Sequence, residues 1–156
     1  MNKNAVLDAV IDLLKEDLRK SVNASRDAAD YAKHEEARSE SKWDTQGLEA
    51  SYLAAGQAGQ ARQWAEAVTV LEGFREVLLQ PRTDIGSGAL VTCDFGGVEE
   101  VFFFAPAAGG LVVSVEGVEV TVITPQSPVA VRMAGLCAGE ELPPGPGAAG
   151  RIKRVE

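Results

Sequence analysis

The sequence predicts an α+β protein in which an antiparallel hairpin of two long helices precedes a small β-rich domain. No proline occurs before Pro81, and all seven prolines lie from that residue onward. Of the sixteen glycines, four precede Pro81 and twelve follow it. Because proline and glycine interrupt regular structure, we expect one domain over residues 1–80 and a second over residues 81–156.

The first predicted helix is amphipathic. Charged residues separate its apolar positions, so the apolar side chains form one stripe along the helix. Farther along, the stripe thins to alanines, whose small side chains let a second helix approach closely. The apolar positions are Val6, Leu7, Val10, Ile11, Leu14, Leu18 and Val22.

The second predicted helix covers residues 48–79 and repeats the apolar spacing of the first. A polar segment, residues 35–47, separates the two and is expected to contain the turn. Asp44 or Thr45 is a suitable N-cap for the second helix. Neither helix buries its stripe alone, so we expect them to pack on each other as a coiled coil.

The second half has the pattern of a curved antiparallel sheet with one short helix. Glycine pairs and turn residues separate short β-branched and aromatic runs. Ser127 and Pro128 suit the N-cap and first position of the short helix. Strict alternation along residues 98–105 would place Phe103 on one face and Phe102 and Phe104 on the other, with both faces covered. Strands are predicted at residues 88–95, 98–105, 111–115, 118–123 and 151–156, the helix at 129–135, and a flexible or extended loop at 143–150.

Composition excludes several classes of function. The net charge is −8, with ten basic and fourteen acidic residues through residue 80 and five and nine after it. Neither half has the basic patch that independent nucleic-acid binding requires. No apolar run reaches about 18 residues, and the first residues do not resemble a signal peptide, so we expect a cytoplasmic protein without membrane contact.

Candidate catalytic residues are few. The chain has one histidine, His34, around which no Ser/His/Asp or Cys/His set assembles, so we expect no independent enzyme. The two cysteines, Cys93 and Cys137, lack metal-ligand spacing and are expected to be reduced and buried.

Residues 123–140 resemble the C-terminal signature of the Gre family of bacterial transcript cleavage factors. In both, a strand is followed by a Ser-Pro pair, a short apolar helix carrying alanine, a glycine, and then Gly-Asp or Gly-Glu, here Gly139-Glu140. The order of helical hairpin and β domain is also similar to that family. The resemblance implies an FK506-binding-protein-like (FKBP-like) fold for the second domain.

In the Gre family, the β domain docks on the rim of the RNA polymerase secondary channel, and the hairpin enters the channel. The resemblance therefore implies RNA polymerase as the partner and a regulator of elongation or initiation, not an enzyme. The docking positions correspond to Gln126, Ser127 and Pro128 here. Gln126 stands where the family often has an acid.

Acidic residues at the hairpin tip of that family help to hold a second magnesium ion of the polymerase and its attacking water. Glu40 takes the family's Glu position, Ala37 stands at its Asp position, and Glu36 and Asp44 are the other candidate tip carboxylates. Magnesium prefers oxygen ligands, and two metals can stabilise the attacking and leaving oxygens together. The resemblance implies that the metal is shared with the polymerase, with no cofactor and no metal held stably by the chain in isolation.

Several alternatives stay open. Ala37 makes a non-cleaving or inhibitory regulator of the same fold an alternative to a factor that stimulates cleavage of backtracked RNA. A prolyl isomerase or chaperone of FKBP type is an alternative from another class, and it would need an aromatic-lined apolar pocket. A structural helical module without polymerase contact is the third alternative, and a pull-down with core polymerase distinguishes it.

Overall fold

The computed structural model describes residues 1–36 and 45–156, with side chains for 1–31, 33–34 and 55–156. These residues form two compact units. One consists of Leu14–Val68, and the other combines Met1–Leu13 with Thr69–Glu156. The expected domain boundary at residue 80 stays a prediction.

The helical unit contains most of two long helices, α1 (Lys3–Glu36) and α2 (Thr45–Gly73). The Ser21 hydroxyl donates to the Gln57 carbonyl oxygen at 3.2 Å, and the Ser25 hydroxyl donates to Gln57 Oε1 at 3.4 Å. Because residues 37–44 join two helices that also touch at these positions, the helices form the predicted hairpin. Coiled-coil packing stays a prediction.

The sheet has five strands: β1 (Leu90–Asp94), β2 (Glu99–Phe104), β3 (Val112–Val115), β4 (Val118–Ile123) and β5 (Arg151–Val155). All five were predicted, but the expectation of a wholly antiparallel sheet is wrong. The strand order is β3-β4-β2-β1-β5, and β2 pairs with β4 in parallel while the other pairs are antiparallel. The chain passes from β2 to the sheet edge at β3, and β4 then returns between them.

The described part of the chain also contains two short helices, α3 (Arg75–Leu78) and α4 (Pro128–Met133). Helix α4 confirms the helix predicted after Ser127-Pro128. Helix α4 covers one face of the sheet, where Ala130 and Met133 pack in a buried cluster with strand residues. That cluster includes Val91, Cys93, Phe102, Phe104 and Ile152.

The opposite sheet face is also covered. Phe103, Leu90 and Val122 are paired neighbours on that face, and each is buried. The same unit buries apolar side chains from the start of α1 and from residues 69–78. The expectation that Phe102, Phe103 and Phe104 would be covered on both faces is confirmed, since all three are buried.

Polar contacts attach the start of α1 to the segment after α2 within this unit. Lys3 Nζ donates to the carbonyl oxygens of Gln80 at 2.5 Å and Gly88 at 2.9 Å. Burial lowers the pKa of Lys3, the charge of Arg82 lowers it further, and Glu156 acts in the opposite direction. Arg75 Nη2 donates to Asp8 Oδ1 at 2.5 Å and to Asn4 Oδ1 at 2.6 Å.

The cysteines differ in environment. Both are free thiols, but Cys93 is buried and Cys137 is exposed, so the expectation of burial is wrong for Cys137. Cys137 lies in the turn after α4, where its backbone N–H donates to the Glu140 carboxylate at 2.6 Å. No helix in the described part of the chain has the length and apolar character to cross a bilayer.

Candidate docking surface

The predicted hairpin tip lies outside what the structure describes. Glu40, Asp44 and Ala37 belong to residues 37–44. Glu36 ends α1, but its side chain is also outside the described set. The role of the tip carboxylates therefore stays a prediction.

The predicted docking turn is described in full and is built around Ser127. The Ser127 backbone is extended, with φ −70° and ψ 140°, and its side-chain oxygen accepts from the Ala130 backbone N–H at 3.4 Å. The hydroxyl donates to the Thr124 carbonyl oxygen at 3.0 Å, and the Ser127 N–H donates to the same oxygen at 2.9 Å. Ser127 is thus the N-cap of α4, as its sequence position predicted.

The cap determines which side chains of the turn face solvent. Gln126 and Pro128 are exposed, whereas Ser127 is half-buried. Pro128 occupies the first helical turn, where its missing N–H leaves no helical hydrogen bond unmade. The turn therefore presents Gln126 and Pro128 on either side of an engaged serine.

An open groove of about 570 Å³ lies beside this turn, between α4, the sheet and the loop before β5. The rings of Phe95 and Phe102 meet edge to face, with centroids 6.3 Å apart and planes at 83°. The isomerase alternative would need an aromatic-lined apolar pocket, and this groove has two phenylalanines but no tyrosine or tryptophan in its lining. The lining residues are Phe95, Glu100, Phe102, Pro128, Val129, Arg132, Pro146, Gly147 and Ala148.

Arg132 holds the loop that forms one wall of the groove. Its Nε and Nη2 donate to the Pro143 carbonyl oxygen at 3.1 and 2.9 Å. Its Nη1 donates to the carbonyl oxygens of Pro146 at 3.0 Å and Ala148 at 3.2 Å. We call this set of contacts the Arg132 clasp.

Sequence reasoning missed the Arg132 clasp and left residues 143–150 as a loop without a stated partner. A signal was present, because Arg132 is the only basic residue between Arg82 and Arg151. An isolated guanidinium among apolar residues, followed by a segment in which prolines and glycines leave carbonyl oxygens unpaired, points to side-chain-to-backbone bonding. The sequence does not show which carbonyls are reached.

Glu100 supplies the carboxylate of the groove. It is exposed, and no described residue gives it a hydrogen bond or an ion pair. Cys93 is the cross-strand partner of Glu100 and lies on the same sheet face, in the buried cluster under α4. Burial raises the pKa of Cys93 to about 11, and the charges of Glu100 and Asp94 act in the same direction while Arg132 opposes them. Cys93 is therefore a protonated core thiol at neutral pH and not a nucleophile.

Metal binding has no candidate in the described part of the chain. The side chains there include no group of three or more His, Cys, Asp or Glu residues that could hold an ion.

The chain is similar to solved structures of GreA factor homologue 1 (Gfh1), including the following three. Gfh1 of Thermus thermophilus shares 17% identity, with 95% of each chain covered and a TM-score of 0.37. A structure of the transcription factor Gfh1 shares 18% identity over 94% of this chain and 93% of that chain, with a TM-score of 0.37. Gfh1 of Thermus aquaticus shares 18% identity, covering 95% and 94%, with a TM-score of 0.33.

No family model matches the chain, and no curated protein matches it. The identities and TM-scores of the three structures are low, so this likeness carries no argument about function.

Proposed function

We propose that this chain is a Gre-like, cytoplasmic regulator that binds RNA polymerase at its secondary channel. The β-rich part docks on the channel rim, and the helical hairpin reaches into the channel. The chain has no catalytic site of its own in this proposal, and it acts on the polymerase's own reaction. Neither nucleic acid nor membrane is bound independently.

The docking turn supports this proposal most directly. The Gre-like signature predicts contact at Gln126, Ser127 and Pro128, and the Ser127 cap leaves Gln126 and Pro128 exposed next to an open groove. Residues that contact a partner must be exposed to solvent in the free protein. Gln126 and Pro128 are exposed, whereas Ser127 is half-buried and its hydroxyl is bonded within the turn.

The hairpin tip would determine the effect on the polymerase. Carboxylate oxygens are suitable ligands for magnesium, and Glu40, assisted by Glu36 or Asp44, would supply them. A magnesium ion held there would polarise an attacking water. With Ala37 in place of an acid, the same tip could instead occupy the channel without promoting hydrolysis, which is the inhibitory mode.

Binding to core RNA polymerase tests the first half of the proposal. The full-length chain should be retained by immobilised core polymerase, and Pro128→Ala and Gln126→Ala should each weaken binding about fivefold, the loss expected for a contact residue worth about 1 kcal/mol. Val98→Ala is the matched control, because Val98 is 62% exposed and lies in the β1–β2 turn. Failure of the wild-type chain to bind would refute the proposal.

A transcript-cleavage assay on a stalled, backtracked elongation complex distinguishes the two modes. Cleavage stimulated by the wild type and lost in Glu40→Ala assigns the cleavage mode. Binding without cleavage, together with slowed RNA extension, assigns the inhibitory mode.

The groove favours one alternative of a different class, a prolyl isomerase or chaperone module. The observation that favours it is an open groove of about 570 Å³ with Phe95 and Phe102 in its lining. Faster cis–trans isomerisation of a Leu-Pro peptide in the presence of the chain would support it. An unchanged rate at a chain concentration in excess of the peptide would remove it.

A further inference from the structure

The groove beside α4 is lined by apolar residues and by two charged residues, Glu100 and Arg132. The floor consists of Phe95, Phe102 and Val129, with Pro128 at one end. The volume of about 570 Å³ is within the usual range of clefts that bind small ligands, roughly 300–1,000 Å³. Such a floor favours an apolar side chain of a partner, because burial of apolar surface stabilises the complex.

The polar side chains of the lining offer hydrogen-bond acceptors on Glu100 but few unused hydrogen-bond donors on Arg132. Four hydrogen bonds to carbonyl oxygens of the loop use four of the five N–H groups of the Arg132 guanidinium, so little of its donor capacity is left for a ligand. Glu100 lines the same groove, is exposed, and has no partner among the described residues. A ligand that complements this lining should bring a cation to Glu100 instead of an anion to Arg132.

We propose that the groove binds an extended segment of a partner protein in which an apolar and a basic side chain lie two residues apart, so that both point to the same side of the segment. The apolar side chain lies on Phe95 and Phe102, and the basic group pairs with Glu100. The Arg132 clasp keeps the opposite wall in place. This proposal concerns peptide binding alone and requires neither polymerase binding nor isomerase activity.

Titration of the ¹⁵N-labelled full-length chain with short blocked peptides tests the proposal. The probes are N-acetyl-Gly-Leu-Gly-Arg-Gly-amide (the Leu-Arg peptide), the acidic N-acetyl-Gly-Leu-Gly-Glu-Gly-amide (the Leu-Glu peptide) and the polar N-acetyl-Gly-Ser-Gly-Arg-Gly-amide, each to about 5 mM, where millimolar binding is detected. The Leu-Arg peptide should shift the amide signals of Phe95, Val129 and Gly147. The other two peptides should bind at least about threefold more weakly.

Charge reversal tests the role of Glu100. Glu100→Lys should weaken the Leu-Arg peptide about fivefold, the upper range for an exposed ion pair, and should shift the preference to the Leu-Glu peptide. Glu119→Lys is the matched control, since Glu119 is exposed on β4, does not line the groove and changes the net charge equally.

Three outcomes would overturn the proposal. One is the absence of groove signals that respond to the Leu-Arg peptide, and another is an equal response to the Leu-Glu peptide. The third is an equal effect of Glu119→Lys and Glu100→Lys, which would indicate a general charge effect. An unchanged dispersion of amide signals in both variants verifies that each is folded.

Discussion

Gly88 lies close to the end of α3, and this contact makes a testable prediction about the stability of the unit that contains residues 69–156. Gly88 has φ +87°, and a Cβ placed there would lie 2.7 Å from the Leu78 carbonyl oxygen and 2.8 Å from its Cα. Gly110 has nearly the same φ, +88°, but a Cβ there would meet nothing within 4 Å. Both backbone N–H groups donate to carbonyl oxygens, Gly88 to Phe104 and Gly110 to Val122.

Comparison of Gly88→Ala with Gly110→Ala distinguishes the free-energy cost of the left-handed backbone from the cost of the close contact with Leu78. Both variants carry the cost of a left-handed backbone, about 1 kcal/mol. Only Gly88→Ala also forces a backbone contact apart, and overpacking of this kind costs about 1–3 kcal/mol. We therefore expect Gly110→Ala to lower the free energy of unfolding by about 1 kcal/mol and Gly88→Ala by about 2–4 kcal/mol.

Urea unfolding followed by circular dichroism measures both values. The larger loss should also lower the Tm by several degrees more, at about 2–4 °C per kcal/mol for a chain of this size. Equal losses within about 0.5 kcal/mol, a difference too small for an overpacked backbone contact, would refute the reasoning, because the contact with Leu78 would then contribute nothing.

Two further predictions concern the side chains around the groove. Arg132→Met removes the donors to three loop carbonyl oxygens. At about 0.5 kcal/mol for each exposed acceptor, the free energy of unfolding should fall by about 1.5 kcal/mol. Proteolysis within residues 143–150 should also become faster. Arg154→Met, at an exposed arginine on β5, is the control, and an equal effect of the two would contradict the clasp. The pKa of Cys93 is about 11 in the folded chain and 9.0 for the unperturbed thiol. As pH rises, the unfolded chain therefore loses the thiol proton at a lower pH than the folded chain. The free energy of unfolding should fall as pH rises from 9.0 to about 11. Cys93→Ala should lack this part of the pH slope in urea unfolding measured across the window, whereas a slope identical to wild type would exclude the thiol as its cause.

Local patterns predicted the five strands and α4 because each carries its own start and stop signals, but they did not predict the division of residues 48–79 into α2 and α3. The strands on either side of Gly96-Gly97 form the expected β1–β2 hairpin, since that turn needs only neighbouring residues. Ser127 and Pro128 likewise predicted α4, because capping is decided within four residues.

Non-local pairing accounts for what the sequence did not predict. The Glu116–Gly117 turn identifies the β3–β4 hairpin but not which strand β4 joins, so the parallel β2–β4 pair was missed. The Arg132 clasp joins residues eleven to sixteen positions apart through an irregular loop without periodicity. The β2–β4 pairing and the Arg132 clasp both depend on how the elements pack on one another. Residue spacing along the chain does not predict that packing.

The Ser127 cap changes how the docking motif should be interpreted. A Ser-Pro pair in a contact motif suggests that the serine touches the partner, yet here its oxygen accepts from Ala130 and its hydroxyl donates to Thr124. Loss of the hydroxyl would cost about 1 kcal/mol through the cap alone, so weaker binding by a Ser127 variant would report the shape of the turn. A variant at Gln126 tests partner contact without changing the cap, because Gln126 is exposed and precedes Ser127, whereas Pro128 is part of the helix start.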